Sequence, residues 1–596
     1  MRKTLSKKFL LSIPFLFCSI FSNGQQQSLY FNQSFYQNFE KYLYSTESNF
    51  HTAIKPYKAS EVYPYVFPDT LYDFKRIKAS DRFFRRAFNV VFFEQLIEFD
   101  ENGYIRKSIK DSIQPGVTVR NNYTDTAYVK RKFHITAMPF LRLEMGYDND
   151  AGRTISYNKR GVALAADIGQ KVSIFTSFSE NQAKFPGYLT SDIRAFRVIP
   201  GEGKARNFGT NSFDFSNIWA YINYTPNSYF SVEVGHGKHF IGDGYRSLLL
   251  SDNAFVYPYA KATVSIWKLK YQMIYAELQN DIRETNDFAL GVTRKIANFN
   301  YLSVSPTNWM QIGLFEGILW QRTGPGGNNT FNWNYINPII GVRGLQKKLD
   351  VNTVYGLNYQ FTLPHYMAFY GQWMIDKFPT DGFDHINNRM GVQFGYKYFD
   401  VGGVDNLNLQ LEFNRVRPYA YATADSVLYF SHYEQPLAHP LGANFNEMIF
   451  KLSYRYQRFY TNLSLAYSKG GTDVLLIDDE GNISFDFQNG SSVFANTALA
   501  PQTDNLKIGG QASNYSLFHG DFRIGVIVNP KINLKVELGL IGRRTSSEIF
   551  AYNSSGDVVS GTAQSTNAVV VFSIATQLFN NYYDNISRLI PISDLR

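Results

Sequence analysis

The residues of this chain best suited to chemistry crowd into one stretch, Val234-Gly-His-Gly-Lys-His-Phe-Ile-Gly-Asp-Gly-Tyr-Arg-Ser-Leu-Leu-Leu-Ser-Asp-Asn253. Its four glycines let a backbone fold tightly and come close to a partner. Lys238, His239, Asp243, Arg246 and Asp252 offer charged hydrogen bonds, and Tyr245 offers a flat apolar face on which a sugar ring can pack. These six are the candidate ligand-binding residues. His239, Asp243 and Ser247 supply a base, an acid and a hydroxyl, but nothing in their spacing fixes a catalytic geometry, so the expectation is no catalytic residue and no enzyme. His236 and His239 are three apart on a glycine-rich loop without a carboxylate pattern beside them, a structural rather than a metal-binding arrangement. Gly201-Glu-Gly-Lys204 and Gly235-His-Gly-Lys238 superficially resemble phosphate loops, yet neither has the required spacing or a following helix. No cofactor is expected. Whether the six candidates meet a ligand or pair with one another to close a lumen depends on the elements that hold them.

Those elements begin with an expected export leader, residues 1–24: basic Arg2, Lys3, Lys7 and Lys8, an apolar run from Phe9 to Phe21, then small Ser22 and Gly24. The single cysteine, Cys18, lies inside it, so the mature chain has no thiol for disulfides or metal. The formal net charge of +9 falls to +5 once the four leader cations are removed, too weak and dispersed for a nucleic-acid partner. No later apolar run is long enough for a transmembrane helix. Aromatic residues nonetheless reach 17%, with 42 Tyr and 51 Phe, as in a barrel with one lipid face, one wet face and two aromatic girdles.

Residues 25–130 read as a helical and irregular segment on the periplasmic side. Phe31, Phe35, Phe39 and Leu43 recur every fourth residue, as do Phe84, Phe88, Phe92 and Leu96 after the capping residues Ser80 and Asp81. From Phe133 the period becomes 2. Pro139, Leu141, Leu143, Met145 and Tyr147 alternate with residues that include Arg142 and Glu144. Leu407, Leu409, Leu411 and Phe413 alternate with Asn408, Gln410, Glu412 and Asn414, and the row from Ile532 to Leu540 alternates with Asn533, Lys535 and Glu537. Alternation alone does not say which row faces lipid. Long strands repeated without a helical crossover favour a bilayer-spanning barrel over a soluble sandwich.

About eighteen strands result, and their connections sort by parity. Tight, proline-marked turns (Thr225-Pro226-Asn227, Ser305-Pro306-Thr307, Leu363-Pro364-His365, Asn529-Pro530-Lys531) follow even-numbered strands. Long connections (Asn181 to Asn211, Gly237 to Val256, Thr323 to Leu349, Pro418 to Phe445, Gly470 to Asn514) follow odd-numbered ones. The expected fold is therefore an antiparallel outer-membrane β-barrel over 131–580 with both termini in the periplasm and a tail over 581–596. The last strand is expected from about Asn567 to Phe579.

The glycine-rich stretch resembles the signature of the Wzi-like capsule assembly family, and within it most closely the RemB-like gliding motility proteins of Bacteroidetes. Trp267-Lys268 with Tyr271, Asn300-Tyr-Leu302, Gly313-Leu-Phe-Glu316, Asn334-Tyr-Ile-Asn-Pro338, Tyr370-Gly-Gln372 with Asp376-Lys-Phe378, and Asn414-Arg-Val-Arg-Pro-Tyr419 extend the resemblance over about Arg131 to Gly470. It implies an eighteen-stranded outer-membrane barrel with inward-folded surface loops. Such a barrel binds or anchors surface polysaccharide, or supports gliding, with outer-membrane lipid, polysaccharide and gliding or secretion machinery as partners. The alternative expectation is a porin or solute transporter, since a barrel of this strand number is wide enough for water.

Overall fold

The computed structural model describes residues 33–45, 48–58, 61–62, 98–99, 105–107, 133–168, 171–282, 291–324, 327–332, 335–341, 351–377, 388–471, 474–477, 483–487, 490–497, 514–529, 532–552, 558–576 and 584. The expected leader, the second helical stripe (Phe84 to Leu96) and most of the 581–596 tail lie outside these residues.

Eighteen long antiparallel strands close into one barrel. In chain order they are β1 (Phe133–Asp148), β2 (Arg153–Ile168), β3 (Val172–Lys184), β4 (Phe213–Tyr224), β5 (Phe230–Gly237) and β6 (Tyr257–Ile266). Then come β7 (Leu269–Ile282), β8 (Gly291–Thr307), β9 (Met310–Gln321), β10 (Val351–Leu363), β11 (Met367–Lys377) and β12 (Arg389–Phe399). The ring is completed by β13 (Leu407–Val416), β14 (Phe445–Tyr456), β15 (Phe459–Gly471), β16 (Asn514–Asn529), β17 (Leu534–Tyr552) and β18 (Val558–Ala575). Closure comes from β18 pairing with β1, Val569 opposite Asp148 through Ala575 opposite Arg142, which leaves no open edge in the wall. Among the described residues no helix is long and apolar enough to cross a membrane, while a closed ring of strands satisfies every backbone group that lipid would leave unpaired.

Side-chain direction settles what alternation left open. On β1 the apolar row points outward, with Leu143 46% and Met145 72% exposed, while Arg142 and Glu144 are buried inside the ring. On β17 Leu538 and Leu540 face out and Glu537 faces in. Apolar outside and charged inside is the arrangement of a barrel standing in lipid. Exposed aromatics on the short-turn rim, among them Trp267, Trp309, Tyr366, Tyr456 and Phe459, mark one interface.

The long connections all follow odd-numbered strands, as the parity argument expects, while short ones follow the even-numbered strands and also β1 and β17. The final strand ends earlier than expected, at Ala575, and starts earlier, because β17 and β18 run on together as a paired hairpin as far as Tyr552 opposite Val558.

An eighteen-stranded ring leaves room for an aqueous channel unless something fills it. Two bodies enter from opposite ends. From the short-turn end comes helix α1 (Gln33–Ser45), with Tyr36, Phe39, Glu40 and Leu43 buried along one face, followed by residues 48–58 and 61–62. Phe39, Phe50 and Tyr57 pack edge to face, with ring centroids 4.8–5.8 Å apart within a cluster that includes Tyr36. This cluster lies on Phe140, Ala163, Phe175, Trp219 and Tyr221 of the inner wall. From the long-loop end come the β5–β6 and β13–β14 connections, whose Leu248, Leu249, Leu250, Phe430, Leu437 and Leu441 form one apolar core with Leu278, Phe299, Phe315, Val354 and Met374 of the wall. A second helix, α2 (Gly187–Phe196), tucks Tyr188, Leu189 and Ile193 against Ile541, Val569 and Val571.

Candidate functional site

The β5–β6 connection, residues 238–256, carries the six candidate residues into the ring. Two of its glycines are required by close approach. Gly242 has a φ of +149°, and a Cβ there would sit 2.5 Å from the Gln372 amide nitrogen. A Cβ on Gly244 would sit 2.6 Å from a Glu412 carboxylate oxygen. With only hydrogens in these places, the loop backbone hydrogen-bonds to the wall. Gln372 accepts from Leu248 N at 2.7 Å and donates to Ile241 O at 3.0 Å. Gln393 donates to Arg246 O at 3.0 Å, and Glu412 accepts from Tyr245 N at 2.7 Å and Arg246 N at 3.1 Å. Ile241 and Phe240 also pair as a short antiparallel ladder with Ile54 and Lys55 of the N-terminal segment.

The candidates take distinct places. The Lys238 ammonium donates to the carbonyls of Gly201 and Asp252, and burial holds its pKa below the usual lysine value. This ties the Gly201-Glu-Gly-Lys204 stretch to the plug, where Gly201 N also donates to Gln435 at 2.7 Å. His239 is buried, with Nδ1 3.1 Å from the Tyr257 hydroxyl and its ring edge-on to Tyr259; burial, then Lys261, keep it neutral. Asp243 is wholly buried and accepts from Thr52 Oγ1 at 2.6 Å and Asn358 Nδ2 at 2.9 Å, while its carbonyl accepts from Lys397 at 2.6 Å. Asp252 is buried and contributes its carbonyl to Lys238.

Of the six, Tyr245 alone lines open space, with Arg246 buried beside it. Tyr245 borders a cavity of about 250 Å³ in the short-turn half of the lumen. The cavity's other walls are α1, through Gln37 and Asn38, and the inner faces of β12 to β17, with Arg142 of β1. The Tyr245 hydroxyl donates to Asp584 Oδ2 at 2.8 Å, and Arg246 Nη2 lies 2.9 Å from the same oxygen. Lys451 Nζ stands 3.6 Å from the Tyr245 ring centroid, a close cation–π contact.

His239, Asp243 and Ser247 do not form a relay in this arrangement. The Ser247 hydroxyl donates to Ile241 O at 2.6 Å, and the Asp243 oxygens are taken by Thr52 and Asn358. His236 places Nδ1 2.9 Å from Ile218 O, so the two histidines turn to different partners.

No protein-family model matches the chain, and no curated protein sequence matches it. Among solved structures it is similar to Wzi of Escherichia coli, described as an outer membrane protein involved in group 1 capsule assembly and a carbohydrate-binding β-barrel. That similarity has 13% identity and a TM-score of 0.49 over 92% of this chain and 98% of that one. It is also similar to OccK7 (OpdD) of Pseudomonas aeruginosa, at 12% identity and a TM-score of 0.36 over 74% of this chain and 99% of that one. OccAB4 of Acinetobacter baumannii follows at 10% and 0.37 over 74% and 97%.

The segments quoted for the family resemblance fall on both faces of the wall: those around Gln372, Asp376 and Asn414 reach the plug loops, whereas Tyr271, Asn300 and Glu316 lie on the opposite face beneath residues 335–341. Gln372 holds the loop, Asp376 accepts from Tyr421 N at 3.0 Å, and Asn414 links Gln393 to Glu412 and Glu447. The Tyr271 hydroxyl bridges Asn300 and Pro338 O. The residues that line the cavity went unnoticed as a site. Lys451, Arg455, His519, Asp521, Arg523, Lys535 and Glu537 lie on β14, β16 and β17, and each looks in isolation like the wet row of an ordinary barrel strand. Their only signal was excess charge at inward positions of neighbouring strands. Asp584 carried none.

Proposed function

We propose that this chain is a non-conducting, non-enzymatic barrel of the outer membrane that binds or anchors surface polysaccharide, in the manner of capsule assembly, or supports gliding, or does both. Its long loops face outward and its termini face the periplasm. The observation that carries this reading is the seating of residues 238–256, whose backbone is bonded to three wall side chains, Gln372, Gln393 and Glu412, and whose three leucines lie in the lumenal core. A loop held in this way is a scaffold rather than a gate that solutes push aside. The family resemblance of the same loop supports the polysaccharide assignment, and the exposed apolar outer face supports residence in a bilayer.

The second reading, a porin or transporter, draws on the polar cavity inside the ring. Planar-bilayer conductance of the purified protein separates the two: near silence is expected, and steady open-channel current would refute the scaffold. Deleting the gene and measuring capsule retention and colony spreading tests the biological role. Loss of either is expected, and two unchanged phenotypes would overturn the proposal.

A further inference from the structure

The cavity beneath Tyr245 is built to hold a carboxylate, and it already holds one. Asp584 lies beyond the last strand, yet its side chain sits among Tyr245 OH at 2.8 Å, Arg246 Nη2 at 2.9 Å and the neighbouring Lys451 and His519. The attraction of Arg246, His519 and Lys451 outweighs the cost of burial and holds the Asp584 carboxyl at about 2, so it is ionised at any physiological pH.

The lining of the cavity carries more cations than anions. Six Lys and Arg side chains line the space against three carboxylates, Asp521, Glu537 and Asp584. Setting Arg142 against Glu144 and Lys397 against Glu40, both outside the lining, leaves four cations to three anions. Removing Asp584 leaves four to two. The tyrosine and arginine that hold it come from the plug, and Lys451 comes from the wall. The receiving groups are therefore fixed by the fold, and the carboxylate arrives from a separate part of the chain. At about 250 Å³ the space falls just below the ~300–1,000 Å³ of drug-sized pockets, which suits one sugar ring rather than an oligosaccharide. The Tyr245 and Tyr460 rings stand among its lining residues.

We infer that this cavity is a binding site for a uronic-acid residue of an acidic glycan, and that Asp584 is an internal competitor whose carboxylate occupies the place of the sugar's. The inference rests on the polysaccharide reading above and names the sugar class. With an internal competitor the apparent affinity is the intrinsic affinity multiplied by the fraction of molecules whose site is open, so neutralising the competitor strengthens binding.

The test is calorimetric titration of the full-length protein in detergent with D-glucuronate, with D-glucose and inorganic phosphate as controls, in wild type, Asp584→Asn and Lys451→Gln. Heat-dependent gel migration checks that each variant is a folded barrel. Glucuronate is expected to bind Asp584→Asn about tenfold or more tighter than wild type, to bind Lys451→Gln more weakly, and to be preferred over both controls. Unchanged or weaker glucuronate binding by folded Asp584→Asn overturns the competitor. Phosphate binding as tight as glucuronate overturns the sugar class. Both failures would leave the wider proposal standing if cells carrying these variants still retain capsule and spread, whereas normal capsule and spreading in the deletion strain would remove the proposal itself.

Discussion

Replacing Glu412 by Ala should loosen the plug while leaving the wall intact. Glu412 is buried, and its carboxylate accepts four hydrogen bonds: Tyr245 N at 2.7 Å, Tyr370 OH at 2.8 Å, Asn414 Nδ2 at 3.0 Å and Arg246 N at 3.1 Å. Two of those donors are backbone groups of the plug loop, with no side chain to swing elsewhere. Each buried donor left unmet costs about 1–3 kcal/mol, so the seated loop loses about 2–6 kcal/mol relative to a displaced one. At about 1.4 kcal/mol per factor of ten, the displaced population rises roughly 30-fold to 20,000-fold. Water entering the vacated space favours the lower end. Glu412→Gln retains one acceptor oxygen and should fall between. Single-channel recording in a planar bilayer reads the effect directly, since a ring of eighteen strands passes ions once its filling moves. Wild type should be nearly silent, Glu412→Gln should open occasionally and Glu412→Ala often. A folded Glu412→Ala barrel as silent as wild type would refute the claim that this carboxylate holds the plug.

Leu249→Ala should destabilise the plug by about 2–5 kcal/mol, because this fully buried side chain nests over Gly356, where a Cβ would meet its Cδ2 at 2.2 Å. Earlier proteolysis of the loop on heating would register that loss, and an unchanged cleavage temperature would contradict it. On the outer face, Met145→Lys should cost about 2–4 kcal/mol in unfolding from lipid vesicles and Trp267→Lys at the rim at most about 1, so equal costs would argue against the assigned lipid band. Acid should loosen the plug too. Burial lowers His51 and His432 from 6.5 to about 3, so each is neutral when folded and takes up a proton more readily once released. Their stabilising contribution is complete above pH 6.5 and is lost progressively as pH falls toward 3, on the order of a few kcal/mol each at the limit. Protease cleavage near residue 51 should therefore rise between pH 6.5 and 4.5 and flatten in His51→Gln/His432→Gln; a flat wild-type profile would count against it.

The wall was legible because lipid imposes a rule on every strand. Leu141, Leu143 and Met145 must leave the ring where Arg142 and Glu144 enter it, and a period of 2 in the sequence records that demand. The turns were legible for a similar reason: Pro226 and Pro364 sit in the reversals they mark, whereas Pro306 lies within β8, just ahead of its turn at Asn308 and Trp309. The direction of each row was not, because a soluble barrel writes the same alternation. In the glycine-rich loop the residue types announced a site, but the partners that decide its role lie far along the chain. Gln372 is 124 residues from Leu248, and Asp584 is 338 from Arg246. Periodicity describes a residue's own element, so contacts across such separations leave no trace in it. The cavity was hidden differently: Lys451, Arg523 and Lys535 each obey the wet-row rule, and only ring closure puts them around one space.

Plug loop and N-terminal segment behave as one body, and this bears on how the lumen could ever open. Glu40 of α1 is 2.5 Å from Lys397 of the wall and 3.6 Å from Lys55, while Lys55 donates to Gly242 O at 2.9 Å and Lys397 to Asp243 O at 2.6 Å. Thr52 bridges Asp243 and Gln360 at 2.6 and 2.7 Å. Withdrawing the N-terminal segment alone would strand the buried Asp243 carboxylate with one donor fewer and leave Gly242 O and N unmatched, since Gly242 N donates to Ala53 O at 2.8 Å. Lifting the loop alone would strand the Lys55 ammonium, whose pKa burial already lowers, beside a single carboxylate. Either partial step leaves buried charge or backbone unpaired, at a cost that grows with each orphaned group. The two must therefore leave together or stay together. Such coupling favours a ring kept closed over one that opens by the motion of a single loop.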